Sequence, residues 1–306
     1  MTLASNLISI ITPAYQAQEF IARAVSSVIS QTYTQWEMLI ISDDLQDYQA
    51  ILAQQGIEDP RLRFFSTGQV AAGVNTSRSI ALSQADGEWI TTLDADDSFM
   101  PKRLKKLLPI AQKYNMAGDN VSVVNHSNGE LIRTLFPEQA SHSLLWLDAE
   151  QYCQTNIPMT FLFHRSLVTL PWQSDVELGE DTLFNLRLMQ EVGVLVPITS
   201  KCLHRYYVHN RSLCHSPDSA IRAERGYTHS LKRLQSDGMG FNTPDYQRIV
   251  LKMLSEKQAF NRFYLQQLEQ GFKGSFQEFA YQHSIESILL RPDLEQAETQ
   301  PQMANS

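Results

Sequence analysis

The 306-residue sequence predicts an α/β protein, with a mostly parallel central sheet flanked by helices and a helical appendage at the carboxyl end. Two observations predict it. In the amino-terminal half, short apolar runs alternate with helical stripes, as in βαβ units with right-handed crossovers. After Pro217 the pattern becomes mainly helical.

Four apolar runs in that half are predicted to form buried strands, at residues 7–12, 36–42, 62–66 and 89–93. Pro13 is expected to end the first of these strands. Three helices are predicted between the strands, at residues 17–31, 47–55 and 73–85.

The middle of the chain adds a predicted helix and four predicted strands, at residues 180–192 and at 121–125, 130–136, 160–165 and 203–209. Asn128-Gly129 lies between two of these strands and predicts a type I′ hairpin. We expect residues 1–216 to form the α/β domain and residues 217–291 to form a helical region packed on it. Residues 292–306 are polar and are expected to be disordered.

Composition narrows the function classes. A net charge of −8 argues against general nucleic-acid binding. The three cysteines, Cys153, Cys202 and Cys214, have no metal-site spacing and are expected to be reduced, which favours the cytoplasm. No apolar run approaches the ~18 residues of a membrane-spanning helix, and we expect no signal peptide. Peripheral association with the inner face of a membrane, and a homodimer, are both compatible with the sequence.

The run Thr-Thr-Leu-Asp-Ala-Asp-Asp at residues 91–97 is the most informative stretch for function. It places Asp94, Asp96 and Asp97 directly after a predicted strand. Clustered carboxylates repel one another, so a cation or several hydrogen-bond donors are expected beside them. Mg²⁺ and Mn²⁺ prefer such oxygen ligands. The alternative is a solvated acidic loop before the helix that is expected to start at Pro101.

Other strand ends support a ligand site over that alternative. Asp43-Asp44 follows the second predicted strand, and Thr12 to Tyr15 forms the end of the first. In parallel sheets, ligands bind at the carboxyl ends of the strands. Three strand ends are therefore expected to converge on one crevice.

Together these segments resemble the family 2 glycosyltransferases, which have the GT-A fold. The resemblance spans about residues 5–216 and rests on four stretches, namely LISIITPAYQAQEFIARAVSSVISQTYTQWEMLIISDD, TTLDADDSFMPKRL, LGEDTLFNLRLMQEVG and YYVHNRSL. It implies an inverting, hexosyltransferase-type enzyme of polysaccharide biosynthesis, with Mn²⁺ or Mg²⁺ held at a DxD motif. It also implies a nucleotide-diphosphate sugar donor, with a UDP-sugar favoured, and a carbohydrate or lipid-linked acceptor. Gln16, Leu45-Gln46 and Val208 depart from the family's usual pattern.

The resemblance also implies roles for individual residues. Asp181 is the expected catalytic base, and Asp96, Asp94 and His209 are the expected metal ligands, with Asp96 the best of them. The residues expected to bind the nucleotide sugar are Pro13, Ala14, Tyr15, Asp43, Asp44, Arg78, Asp94, Glu180, Arg211 and Ser212.

Several of these roles have structural alternatives. Glu180 and Asp181 could simply favour a helix N-terminus through its dipole, which would also lower the pKa of Asp181 and leave it ionised at neutral pH. Arg78 could be a solvated surface residue, His209 could be structural, and Tyr15 could be an ordinary packing residue.

Three other functions compete with glycosyl transfer. A metal-dependent nucleotidyltransferase would share the sheet, the nucleotide and the metal, but residues 12–20 lack the Gly-rich basic loop expected of one. A phosphohydrolase with an aspartate nucleophile lacks its expected context near the first strand. The third alternative is a non-catalytic protein that binds a nucleotide sugar.

Overall fold

The computed structural model describes residues 6–137, 144–155, 157, 159–176, 179–193, 195–209, 219–274 and 276–283. The strands in this part of the chain are β1 Ile8–Ala14, β2 Trp36–Ser42, β3 Leu62–Ser66, β4 Trp89–Thr92, β5 Ser98–Phe99, β6 Met116–Asn125, β7 Leu131–Thr134, β8 Leu144–Asp148, β9 Leu162–His164 and β10 Leu195–Val208. The helices are α1 Ile21–Ile29, α2 Tyr48–Ala53, α3 Val74–Gln84, α4 Arg103–Tyr114, α5 Ala149–Cys153, α6 Glu180–Val192, α7 Ser219–Asp237, α8 Pro244–Glu269 and α9 Phe276–His283.

The strands of the described residues form one sheet in the order β3-β2-β1-β4-β9-β6-β10-β5, with β7 added to β6 and β8 added to β10. Strands β3, β2, β1 and β4 are mutually parallel. β9 is antiparallel to both β4 and β6, and β10 is parallel to β6. The predicted α/β architecture is therefore confirmed, and its parallel half carries the strand ends singled out above.

Burial explains why the amino-terminal half is predictable. Every residue of β2 is buried, as expected for a parallel strand covered on both faces. On α1 the predicted apolar stripe is also buried, at Ile21, Ala24, Val25 and Val28. The predicted strands at 36–42 and 62–66 and the predicted helix at 180–192 have the bounds observed for β2, β3 and α6.

Two local predictions are wrong. Pro13 does not end β1, which continues to Ala14 with Pro13 paired to Ile41. The ladder between β1 and β4 runs only from Ile8 to Ile11, so at Pro13 the strand pairs with β2 alone, as an edge strand does, and a proline is tolerated there. The hairpin at Asn128-Gly129 forms between β6 and β7, but only Gly129 has a positive φ, of 73°. A type I′ turn needs positive φ at both central residues, so this turn is of another kind.

The carboxyl-terminal helices pack on the α/β domain. Helix α8 contacts α5 and α6, and its Val250, Met253 and Leu254 are buried in the same apolar core as Leu183 of α6. The predicted tail at 292–306 lies outside the described residues. Among the helices that are described, none combines the length and the apolar character that a membrane span requires.

A buried ion pair supports the sheet beneath the acidic run. Arg103 is 0% exposed and its Nη2 lies 2.8 Å from Oδ1 of Asp119, which is 2% exposed. The same guanidinium donates to the Thr91 hydroxyl at 3.2 Å and to the Thr160 carbonyl at 2.5 Å. Helix α4, strands β4 and β6 and the segment before β9 are therefore joined at one point.

Asp119→Ala should lower the free energy of unfolding by about 3–5 kcal/mol, because it leaves the Arg103 cation buried without its carboxylate. Asp86→Ala is the matched control, because the Asp86 side chain is 71% exposed in its pair with Arg63 and such surface pairs contribute about 0–1 kcal/mol. Urea unfolding of both variants measures the difference. Equal losses in the two variants would contradict the role given to Asp119.

Candidate active site at the strand ends

The first two strand ends meet where the sequence predicts a nucleotide site. Ala14 pairs with Ser42 in the β1–β2 register, and the Asp43 amide donates to the Ala14 carbonyl at 2.9 Å. Ala14 is fully buried, whereas the Tyr15 ring is 45% exposed. Tyr15 is therefore available to a ligand, and the alternative that it is an ordinary packing residue is not supported by its exposure.

Asp43 and Asp44 both hold the loops around this crevice. Asp43 is 4% exposed and accepts from the Thr67 hydroxyl at 2.9 Å and from the amides of Ala72 and Gly73 at 2.8 and 2.9 Å. Asp44 accepts from the Gln16 amide at 2.7 Å and, on helix α2, from the Tyr48 hydroxyl at 3.0 Å. A carboxylate has about four acceptor positions, so Asp43 can still accept from one base or ribose group, whereas Asp44 already accepts four bonds, the other two from the Ser42 hydroxyl and the Gln46 amide.

The backbone is strained in the loops that follow β1, β2 and β3. Gln16, Leu45 and Ala71 follow β1, β2 and β3 and have φ values of 51°, 60° and 58°. Positive φ is unfavourable for residues with a side chain, and such strain tends to occur where a ligand is held. The Asp44 bond to Gln16 fixes one of these conformations.

The three aspartates after β4 have three different partners. Asp94 accepts from Nη2 of Arg78 at 2.9 Å, and Asp96 lies 2.8 Å from Nε2 of His209. The side chains of these two aspartates are 30% and 35% exposed. Asp97 is 2% exposed and is turned into the protein. The alternative of a solvated acidic loop is therefore wrong for this run.

Asp97 joins the acidic run to β10. It accepts from the Tyr207 amide at 3.0 Å and lies 3.1 Å from Nε2 of His204. Burial raises the pKa of Asp97 well above its ordinary value and lowers the pKa of His204 to about 4. Asp97 therefore takes part in buried hydrogen bonds within the protein.

Arg78 lies among three carboxylates. Its guanidinium is 2% exposed and pairs with Asp94 on one side and with Glu180 and Asp181 on the other, the Glu180 oxygen lying 3.4 Å from Nη1 and the Asp181 oxygen in direct contact with it. The alternative of a solvated surface arginine is therefore wrong. The structure brings Asp94, from the end of β4, and Asp181, from the first turn of α6, to opposite sides of one cation.

Burial controls the pKa of the expected base. It raises the pKa of Asp181, and Glu180 and Asp94 add to the rise, while Arg78 lowers it by a smaller amount. The pKa of Glu180 is raised for the same first cause. The expectation that a helix N-terminus leaves Asp181 ionised at neutral pH is therefore wrong, because desolvation of the carboxylate outweighs the helix dipole here.

Two of the residues predicted to bind the metal, Asp96 and His209, lie next to each other. Within the described residues, no group of three or more His, Cys, Asp or Glu side chains is arranged to hold a metal ion. Asp96 and His209 do place a carboxylate oxygen and an imidazole nitrogen 2.8 Å apart, and these two side chains would hold a divalent cation. This set fits Mg²⁺ or Mn²⁺, since such ions often bind few protein groups and take further oxygen ligands from substrate phosphates.

Sequence reasoning missed the residues that surround Asp96. Arg23 of α1 donates to the Asp96 carbonyl and to Nδ1 of His126, and its guanidinium stacks 3.7 Å above the Tyr207 ring. Phe20 stacks on His209 with ring centroids 4.7 Å apart. These contacts join positions separated by about seventy residues or more, and no local pattern signals them. Arg211 and Ser212, both expected to bind the donor, lie outside the described residues.

Sequence comparison shows similarity to known glycosyltransferases. The profile of glycosyl transferase family 2 matches residues 9–169. A UDP-Glc:alpha-D-GlcNAc-diphosphoundecaprenol beta-1,3-glucosyltransferase, WfgD of Escherichia coli, is 30% identical over 151 residues, which are 49% of this chain and 58% of that protein. The putative teichuronic acid biosynthesis glycosyltransferase TuaG of Bacillus subtilis is 33% identical over 118 residues, 38% of this chain and 46% of the relative. These alignments span about half the length of the curated relatives.

Solved structures show the same fold at low identity. S. aureus TarS 1–349 superposes with a TM-score of 0.57 at 16% identity, covering 82% of this chain and 71% of that one. The mannosyltransferase PcManGT from Pyrobaculum calidifontis, in complex with GDP-Man and Mn²⁺, gives 0.52 at 14% identity, covering 92% and 80%. These neighbours confirm the predicted GT-A fold. Because the family profile matches more than half of its residues, this chain belongs to glycosyl transferase family 2.

Proposed function

We propose that this protein is an inverting glycosyltransferase that moves a sugar from a nucleotide-diphosphate sugar to an acceptor hydroxyl with the help of a divalent cation. The observation that carries the proposal is the pairing of two functions at one strand end. Asp96 with His209 would hold the cation. Two residues before Asp96, Asp94 pairs with Arg78, which also contacts Asp181, the proposed base. Family membership supports the reaction class.

The donor's nucleotide would lie over the ends of β1 and β2. Pro13 and Ala14 close the end of β1, and the exposed Tyr15 ring is available to a flat base. Asp43 keeps one acceptor position for a base or ribose donor, whereas Asp44 would have to release one of its four internal hydrogen bonds to accept from the nucleotide. A cation held by Asp96 and His209 would supply positive charge to the leaving diphosphate.

Asp181 would remove the proton from the acceptor hydroxyl. The freed oxygen then attacks the anomeric carbon on the face opposite the diphosphate. The bond between that carbon and the diphosphate breaks, and the diphosphate leaves with the electron pair of the bond. A single displacement of this kind inverts the anomeric centre, as one carboxylate does in inverting hydrolases by activating water.

The substrates named for similar proteins support the proposed classes of donor and acceptor. We propose a UDP-sugar donor, supported by the UDP-Glc-dependent relative WfgD and by TarS solved with UDP-GlcNAc, which matches at TM-score 0.54. WfgD acts on a diphosphoundecaprenol-linked sugar, which supports a lipid-linked acceptor at a membrane surface and a place in polysaccharide biosynthesis. Cytoplasmic location, peripheral membrane association and a homodimer stay predictions.

Asp181→Asn should abolish transfer and spare donor binding, because the amide keeps the shape of the side chain and cannot take a proton. We expect turnover to fall by about 10²–10⁴-fold, the contribution of a positioned base. Release of nucleoside diphosphate measures turnover, and calorimetric titration with the donor and Mn²⁺ measures binding. Wild-type turnover in this variant would remove Asp181 as the base; donor binding without any turnover by the wild-type protein would instead support the non-catalytic binder.

The pH profile should show the raised pKa of Asp181. The base works only when deprotonated, so kcat/KM should fall as the pH drops through the pKa of Asp181 in the free enzyme. Because burial raises this pKa, the acidic limb should lie well above the ordinary Asp value of about 3.9. A limb at or below pH 4.5 would show that Asp181 titrates normally or is not the base.

Asp96→Asn should remove the metal dependence of donor binding. The variant loses the anionic donor of the proposed cation site, and we expect Mn²⁺-dependent affinity for UDP to fall by at least about 10-fold. The rise in melting temperature that Mn²⁺ produces with each of a panel of UDP- and GDP-sugars measures affinity, and it also identifies the nucleobase of the donor. Asp86→Asn is the control, as an exposed acid on another surface. Equal stabilisation of both variants would contradict the site.

A further inference from the structure

Arg78 is enclosed by the side chains that it contacts. Its Nη2 donates to Asp94 at 2.9 Å, while Nη1 faces Asp181 and, at 3.4 Å, Glu180. Both terminal nitrogens therefore have carboxylate partners, and the residue is 2% exposed, although it lines the same pocket as Asp94 and Asp181. A donor entering that pocket would meet an arginine whose two terminal nitrogens already bind carboxylates of the protein.

Helix α3, which carries Arg78, also holds the segment that precedes α6 and Asp181. Asn75 of α3 donates to the carbonyls of Gln173 and Val176 at 2.9 and 2.6 Å, and Ser79 donates to the Trp172 carbonyl at 3.0 Å. Trp172 in turn stacks on Phe184 of α6, with ring centroids 3.7 Å apart. Helix α3 therefore fixes α6 through its preceding loop as well as through Arg78.

A guanidinium is a rigid planar fork, whose nitrogens set the separation of the groups that they bind. We propose that Arg78 is a positioning residue that sets the distance between the donor-side Asp94 and the base Asp181, without itself contacting the donor. The inference rests on the proposed function, since it requires Asp181 to act as the base. It replaces the direct donor contact that the family resemblance implies for this arginine.

The experiment compares Arg78→Lys and Arg78→Met with the wild-type enzyme. A lysine keeps the charge but cannot bridge two carboxylates with a fixed geometry, so we expect kcat to fall by about 10–100-fold, the cost of a small misplacement. The KM for the donor and its Mn²⁺-dependent affinity should stay within about 3-fold of wild type, because binding groups are unchanged. Methionine should lower kcat further, since the carboxylates lose their cation.

Arg187→Met is the matched control. Arg187 lies on α6, the helix of Asp181, and is 4% exposed. Its Nη2 donates to the Pro171 carbonyl at 3.4 Å, and it forms no ion pair with the described carboxylates. This variant loses a buried arginine from the helix that carries Asp181 and keeps Arg78, so kcat should stay within about 3-fold of wild type even if stability changes.

Circular dichroism and thermal unfolding establish that each variant is folded, and Arg78→Lys decides the question by itself if Arg78→Met does not fold. Loss of donor affinity as large as the loss of kcat would show direct donor contact and overturn the proposal. An equal loss of kcat in Arg187→Met would show a structural effect and also overturn it. Full turnover in Asp181→Asn would remove the proposed base, whereas an inactive Asp181→Asn with a fully active Arg78→Lys would remove only the role of Arg78.

Discussion

The Arg78 guanidinium compensates three carboxylates that arrive from two separate parts of the chain. Removing an ionised group from water costs several kcal/mol per ion, roughly, unless a partner and hydrogen bonds replace the water. One positive charge cannot balance three negative charges, so burial raises the pKa values of Glu180 and Asp181. The contact that fixes where the base lies therefore also influences when it carries its proton.

Two more arginines support the same acidic segment from different helices. Arg23 of α1 holds the carbonyl of Asp96, and Arg103 at the start of α4 pairs with Asp119 beneath the sheet. Their charges are directed inward, at backbone oxygens and buried acids. The side chains of Asp94 and Asp96 are thereby kept partly exposed at the strand end, which a cation and a diphosphate could reach. A chain with net charge −8 thus gathers buried positive charge where its site needs rigidity.

The positions of the site elements were predictable, because strand ends are local features of the sequence. Apolar runs and their flanking aspartates placed Asp43 and Asp94 at one edge of the sheet, where β1, β2 and β4 lie in parallel register. The environment of each side chain was not predictable. Asp97 is sequestered by His204 of β10, and Arg78 is buried by Asp181, and both contacts join residues more than one hundred positions apart.

The raised pKa of Asp181 could not be predicted from the sequence either. Sequence reasoning had only the helix N-terminus to work with, and a helix dipole contributes typically about 0.3–1 kcal/mol at an exposed site. Desolvation depends on what covers the carboxylate, which only the folded chain determines. In this protein Asp181 lines one pocket together with Trp172 and Phe184, whose rings stack on each other.

The carboxyl-terminal helices lie outside the residues that the family profile matches, and they also support the helix that carries Asp181. Asp175 pairs with His229 and Arg233 of α7, but these side chains are 43%, 45% and 23% exposed, and such pairs contribute little to stability. The buried contact is apolar, between α8 and α6, where Val250 joins the core that holds α6. Because buried apolar contacts stabilise more than exposed ion pairs do, the packing of α8 on α6, and not the surface charges, supports the helix that carries Asp181.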